Sequence, residues 1–196
     1  LIRGQGAGVL TCAVRLNGDL LDTPASQTAV GAIGPLDAVG SDESLQFTRL
    51  EFRQAFLDET VNLTIGKGNP GDTIAANIHA WDEATQFLAG LFDGGNDPVG
   101  YADFMPIVSL QLIPTGGWYV TGAVTSGIGS PTQIFSTLDD GLYWCAGETG
   151  LVVEVGKDRL QGRYSVTLMN SNPGNETVDR STRSSGNALA LIAQQQ

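Results

Sequence analysis

Apolar and polar positions alternate with period two along much of this chain. In GVLTCAVRLNG, Leu10, Cys12, Val14 and Leu16 fall on one face and Thr11, Ala13 and Arg15 on the other. LEFRQAFLDETVNLTIG reads as two strands around the turn Leu57-Asp58-Glu59. Leu50, Phe52 and Phe56 alternate with Arg49, Glu51 and Arg53 in the first strand, and Val61, Leu63 and Ile65 with Thr60, Asn62 and Thr64 in the second. PIVSLQLIPTGGWYVTGAV predicts a hairpin: Val108, Leu110 and Leu112, a turn at Thr115-Gly116-Gly117, then Trp118, Val120 and Val124. GETGLVVEVGKDRLQGRYSVTLMN repeats the device, with Val153 and Val155 before Gly156-Lys157-Asp158 and Tyr164, Val166 and Leu168 after it. NALALIAQQQ is a further alternating run. Such runs are the signature of half-buried antiparallel strands.

One segment departs from period two. In AWDEATQFLAGLF, Trp81, Ala84, Leu88 and Leu91 recur at helical spacing, and Asp82 and Glu83 stand early, where the helix dipole favours acid. The spacing predicts a short helix over 81–92. The stretches 20–44, 93–104 and 126–141 are rich in Gly, Asp, Ser and Pro and read as loops, and 170–186 reads as a long polar loop between strands.

The literal G-x-G-x-x-G at Gly66, Gly68 and Gly71 raises the question of a phosphate-cradling loop. A dinucleotide fingerprint needs a buried, nearly all-apolar strand feeding straight into a helix. Here the preceding strand has a polar face, and Pro70 and Asp72 stand where a helix would open and a pyrophosphate approach. The motif reads as turn punctuation.

Charge narrows the partners. With 21 acidic and 10 basic residues the net charge is −11, a poor match to nucleic acid. Gly is abundant, at 26 of 196 residues, and only 16% are charged, a balance that suits an all-β chain. His79 is the only histidine, so neither a multi-histidine metal site nor a conventional catalytic triad is supported. Asp82-Glu83 and Asp139-Asp140 are sequence neighbours and read as cap or loop charges, not as the facing carboxylates of a glycosidase. No catalytic residue, metal or cofactor is expected. Cys12 and Cys145 either bridge or remain buried free thiols. No apolar run is long enough for a membrane helix, a test that β-barrels escape.

Alternation admits two architectures. In a soluble sandwich the apolar faces form the core and the charged faces meet water. In a membrane barrel the apolar faces meet lipid and the charged ones line the lumen.

FRQAFLDETVNLTIGKGNPGD, WDEATQFLAGLF and PTGGWYVTGAV together resemble the carbohydrate-selective porin (OprB-like) family of bacterial outer membranes. The resemblance rests on Phe56-Leu57-Asp58, Leu63-Thr64-Ile65-Gly66, the run Asp82-Glu83-Ala84-Thr85-Gln86-Phe87-Leu88 and Trp118-Tyr119-Val120. GETGLVVEV and GRYSVTLMN also resemble the family's middle section, so the likeness covers most of residues 45–169 in order.

The resemblance implies an all-β antiparallel meander in a transmembrane β-barrel, with residues 1–196 forming one domain or a portion of a roughly 16-stranded porin. It implies no enzyme, but passive diffusion of small hydrophilic solutes, with sugars the expected class, across the outer membrane. The partners are then those solutes and outer-membrane lipid, and homo-oligomers are left open. Arg49, Glu51, Arg53, Asn62, Thr64, Tyr119, Glu148, Glu154 and Arg163 would line the path. Trp81, Asp82, Glu83, Gln86 and Phe87 belong to the segment that would narrow it. Leu50, Phe52, Leu63, Leu110, Leu112, Val153 and Leu168 would face lipid. The alternative is a soluble or surface-assembled β-sandwich with a binding or structural role.

Overall fold

A computed structural model describes residues 6, 8–16, 45–76, 104–135, 138, 141–157, 160–172, 175–176, 182–183 and 185–195. The strands are β1 (Val9–Leu16), β2 (Leu45–Phe56), β3 (Val61–Gly68), β4 (Met105–Thr115), β5 (Trp118–Ser126), β6 (Tyr143–Val155), β7 (Leu160–Ser171), β8 (Asn175–Glu176), β9 (Thr182–Arg183) and β10 (Gly186–Gln195). Eight form one antiparallel sheet in the order β1-β2-β3-β4-β5-β6-β7-β10, while β8 and β9 pair separately. The predicted hairpins all form. Their turns lie at 57–60, 116–117 and 156–159, on one rim of the sheet, whereas the longer connections 17–44, 69–104, 127–142 and 172–185 all leave the other rim.

The sheet buries its polar face. Glu51, Thr64, Ser109, Thr121, Glu148, Ser165, Thr167 and Gln194 are buried, with Ala123, Ala146, Met169 and Ile192 among them. The apolar positions of the opposite phase are exposed: Leu10 at 69%, Val124 at 56%, Leu168 at 63% and Leu191 at 71%. Among the described residues no second large sheet covers that face, which sets the sandwich aside. The side-chain phase predicted from alternation holds. Leu50 pairs with Cys12, Leu63 with Leu110, and Phe52 with Ile65, all on the outward face, while Glu51 pairs with Thr11 and Arg53 with Thr64 on the inward one.

Four findings refine the sequence reading. The register of β1 against β2 shifts between Ala13 and Val14, and the extra residue falls at Thr48, a bulge that keeps Gln46 and Glu51 both inward. Gly66 and Gly68 lie within β3, and only Gly71 is in the 3-10 turn Pro70–Asp72 that follows it, so the glycine motif is split between strand and turn. Cys12 and Cys145 are free thiols, and Cys12 is exposed on the outward face instead of buried. The polar stretch 170–186 is shorter than expected, because β7 runs to Ser171 and β8–β9 form within the rest. The predicted helix over 81–92 and the loops 20–44 and 93–103 lie outside the described residues.

Candidate functional site

The chain leaves β3 at the long-loop rim and turns inward. Asn69 caps the 3-10 turn, its Oδ1 accepting from Gly71 N at 3.0 Å, and Thr73 N–H donates to Pro70 O at 2.9 Å. Residues 69–76 thus form a strap, and its far end meets strands distant from β3. The Arg49 guanidinium on β2 bonds the Asp72 carboxylate. Ala76 O accepts from Arg163 Nη1 on β7 at 2.9 Å and from Gln194 Nε2 on β10 at 3.2 Å. In a flat sheet, β2 and β10, six places apart in the strand order, would stand about 29 Å from each other. The four steps from Asp72 to Ala76 reach at most about 14 Å. Strand side chains stand roughly perpendicular to the sheet and add little to that lateral reach, so the strap spans these strands because the sheet curves, concave on its polar side.

The inner wall is layered to receive the strap. Ala123 on β5 pairs with Ala146 on β6, and Ala146 with Met169 on β7. Trp144 lies one inward position nearer the long-loop rim. With Ala190 and Ile192 these residues form the apolar seat of Ile74 and Ala75, each 2% exposed. Small side chains here leave the depth that a strap needs.

One inward position nearer the short-turn rim the wall becomes polar, in the register row Thr121, Glu148, Thr167 and Ala190. Glu148, 1% exposed, is the hub. It accepts from Tyr119 OH at 2.5 Å, from Thr167 Oγ1 at 2.8 Å and from the backbone N–H of Ala75 at 2.6 Å, and Arg163 pairs with it directly. Arg163 Nε donates to Tyr119 OH at 2.8 Å, and its guanidinium lies 5.4 Å from the tyrosine ring centre. The ring fits because its register partner is Gly150, where an added Cβ would come within 2.6 Å of the hydroxyl. A carboxylate this buried is tolerated because charged and neutral donors compensate it.

A second cluster stands on β2. Glu51, also 1% exposed, lies 3.1 Å from Arg53 Nη2 and 3.7 Å from Arg49 Nε. Between the two clusters is a cavity of about 680 Å³. Its lining includes Arg53, Asn62, Thr64, Tyr119 and Arg163, together with Asp72, Thr73, Ser109, Gln111 and Thr121, which the sequence reading did not single out. Val9, Ala55, Ile113 and Val152 share the lining, and both of its arginines are tied to a carboxylate, so it mixes polar and apolar groups and is locally close to neutral.

Among the nine residues proposed to line a path, Glu148 lies behind the strap, Glu51 is buried beside Arg53 and off the cavity lining, Arg49 holds Asp72, and Glu154 sits inward and exposed near the short-turn rim. Arg53, Asn62, Thr64, Tyr119 and Arg163 converge on the cavity. Trp81, Asp82, Glu83, Gln86 and Phe87 lie outside the described residues. Ser109, Gln111 and Thr121 share the phase of Thr64 and Tyr119 across the register and could have been found by that signal alone. Nothing local marks Asp72 and Ala76 as inward-turning.

No protein-family model matches the chain, and no curated protein sequence matches it. Among solved structures, the high-pH structure of Pseudomonas putida OprB is similar over 83% of this chain, with a TM-score of 0.63 and 15% sequence identity. The chain spans 43% of the length of that protein's chain. The likeness is one of fold: an all-β antiparallel meander of the porin-barrel kind, here a sheet whose edge strands β1 and β10 remain apart.

Proposed function

We propose that this chain forms wall and constriction of a carbohydrate-selective outer-membrane porin, through which small hydrophilic solutes diffuse passively. The observation that carries this reading is the inverted sheet: exposed leucines and valines outside, buried polar and charged side chains inside. Lipid outside and water inside suit that arrangement. The aromatic positions support it. Trp118, Leu151, Tyr164 and Ala193 form one outward register row near the short-turn rim, and Tyr143 stands outward at the other end of β6. From Leu151 back to Tyr143 is about 27 Å along the strand, or about 20 Å across a membrane at the usual tilt. Six strands, β2, β4, β5, β6, β7 and β10, have 9 to 13 residues, enough to cross at that tilt.

Sugars are the proposed solutes because they are neutral and rich in hydroxyls. The cavity offers Arg53 and Arg163 as donors and Asn62, Gln111 and Thr121 as mixed partners, with no ring of one charge sign. The segment from Trp81 to Phe92, which follows the strap in sequence, is proposed to narrow the same path. The full gene product, reconstituted in a planar bilayer, should conduct ions with weak selectivity, and added mono- or disaccharides should block that current. Arg53→Ala should weaken the block roughly threefold, the equivalent of one net hydrogen bond. Absence of any channel would reject the porin reading; a strongly ion-selective, sugar-indifferent pore would reject the substrate class alone.

A further inference from the structure

The strap has one feature that simple packing does not require. Ala75 takes φ +55°, in the left-handed region that costs an L-residue with a Cβ about 1 kcal/mol or more. It is held there from both sides: its methyl sits in the apolar seat, and its N–H donates to the buried Glu148 carboxylate. The next carbonyl, of Ala76, is held by Arg163, the residue that also pairs with Glu148. The backbone of residues 75–76 therefore closes a single network with Glu148 at its centre. Its other members, Tyr119 on β5 and Thr167 and Arg163 on β7, flank Glu148 on β6, so the wall itself is braced without the strap.

We propose that Glu148 is the positioning residue that sets the aperture of the channel: it holds a conformationally strained strap across the concave face, and loss of its hold lets the strap leave its seat. The inference rests on the porin reading. Glu148 touches no permeating solute, since it is buried behind the strap; it acts through where Ala75 and Ala76 are placed. The strap is the element with two positions, seated and released, and the strain at Ala75 favours the second once the carboxylate is gone.

The test compares the full gene product with its Glu148→Ala and Glu148→Gln variants in planar bilayers, alongside thiol labelling of Ala75→Cys in a background with Cys12 and Cys145 replaced by serine. Heat-modifiable migration on gels establishes that each variant has folded. Glu148→Ala should raise single-channel conductance and weaken sugar block, and Ala75→Cys, protected in the parent, should label about tenfold faster, as loss of a charge-assisted hydrogen bond implies. Glu148→Gln, which keeps one acceptor, should fall between. A purely structural role predicts lower insertion with unchanged conductance in the channels that form. Folded Glu148→Ala channels of parental conductance, with Ala75→Cys still protected, would overturn the inference and leave the porin reading standing; a parent that forms no channel removes both. If Glu148→Ala does not fold, the labelling rate in Glu148→Gln decides, because parental protection there contradicts the hold assigned to Glu148.

Discussion

Arg53 and Arg163 show how one residue type serves two purposes on the same wall. Arg53 is 43% exposed at its side chain and pairs with Glu51 from the edge of the cavity. Arg163 is 18% exposed and is one of the donors that make the burial of Glu148 tolerable. Arg53→Ala would leave the buried Glu51 still beside Arg49, 3.7 Å away, whereas removing Arg163, the cation paired with the buried Glu148, costs about 3–5 kcal/mol because that charge is left uncompensated. Arg163→Ala should accordingly lower unfolding stability in detergent several times more than Arg53→Ala, read from urea titrations of the folded species. Equal losses would mean that the Glu148 cluster is wetter than its burial indicates. Alternation alone placed Glu51, Glu148, Arg53 and Arg163 inward, because period two fixes a face. It could not rank them, since burial depends on which strands are neighbours and on a strap contributed from elsewhere in the chain.

At the level of elements, two hairpins were legible from their turn chemistry, Gly116 and Gly117 with positive φ and Gly156 likewise, whereas Leu57, Asp58 and Glu59 take positive φ without a glycine and that hairpin was legible from the alternation on either side. The bulge at Thr48 was not, as the letters QFTRLEF carry no signal for one extra residue. Nor was the fate of Lys67. By register it pairs with Leu50 and Pro106 and belongs to the apolar outward side, yet it is fully buried. Its ammonium donates to Ser130 O at 2.5 Å and Gln133 O at 2.6 Å, while Phe47 N–H donates to Pro131 O at 2.7 Å. The connection after β5 is thus folded down over the ends of β2, β3 and β4, and Lys67 is the clamp. Charge-assisted bonds of this kind contribute about 1.5–3 kcal/mol each. Lys67→Met should therefore release the connection without disturbing the sheet: limited proteolysis should cut faster within residues 128–135, with strand content by circular dichroism unchanged. Unaltered protection would assign the hold to the Phe47–Pro131 bond instead.

For the molecule as a whole, the question is which solvent the outward face meets, and depth gives the answer. Along β6, Gly147 lies midway between Tyr143 at one rim and Leu151 in the aromatic row near the other. The row through Gly147 continues to Leu168 on β7 and Leu189 on β10. If lipid covers this face, Leu168 stands near the midplane and Ala193, in the row of Trp118 and Tyr164, near the interface. An arginine on a lipid-facing strand costs about 2–4 kcal/mol at the midplane and about 0–1 kcal/mol near the interface. Leu168 is 63% exposed to whatever surrounds the sheet, so in water Leu168→Arg would be neutral or would improve solubility. The two environments therefore give different outcomes for one substitution. We expect Leu168→Arg to lower the folding equilibrium into phospholipid bilayers by a few kcal/mol, within the range just given, and Ala193→Arg to change it by less than about 1 kcal/mol. Titrating denaturant against folding in vesicles measures both. Equal and small effects at the two depths would place water on this face and remove the membrane from the account, whatever the shape of the sheet.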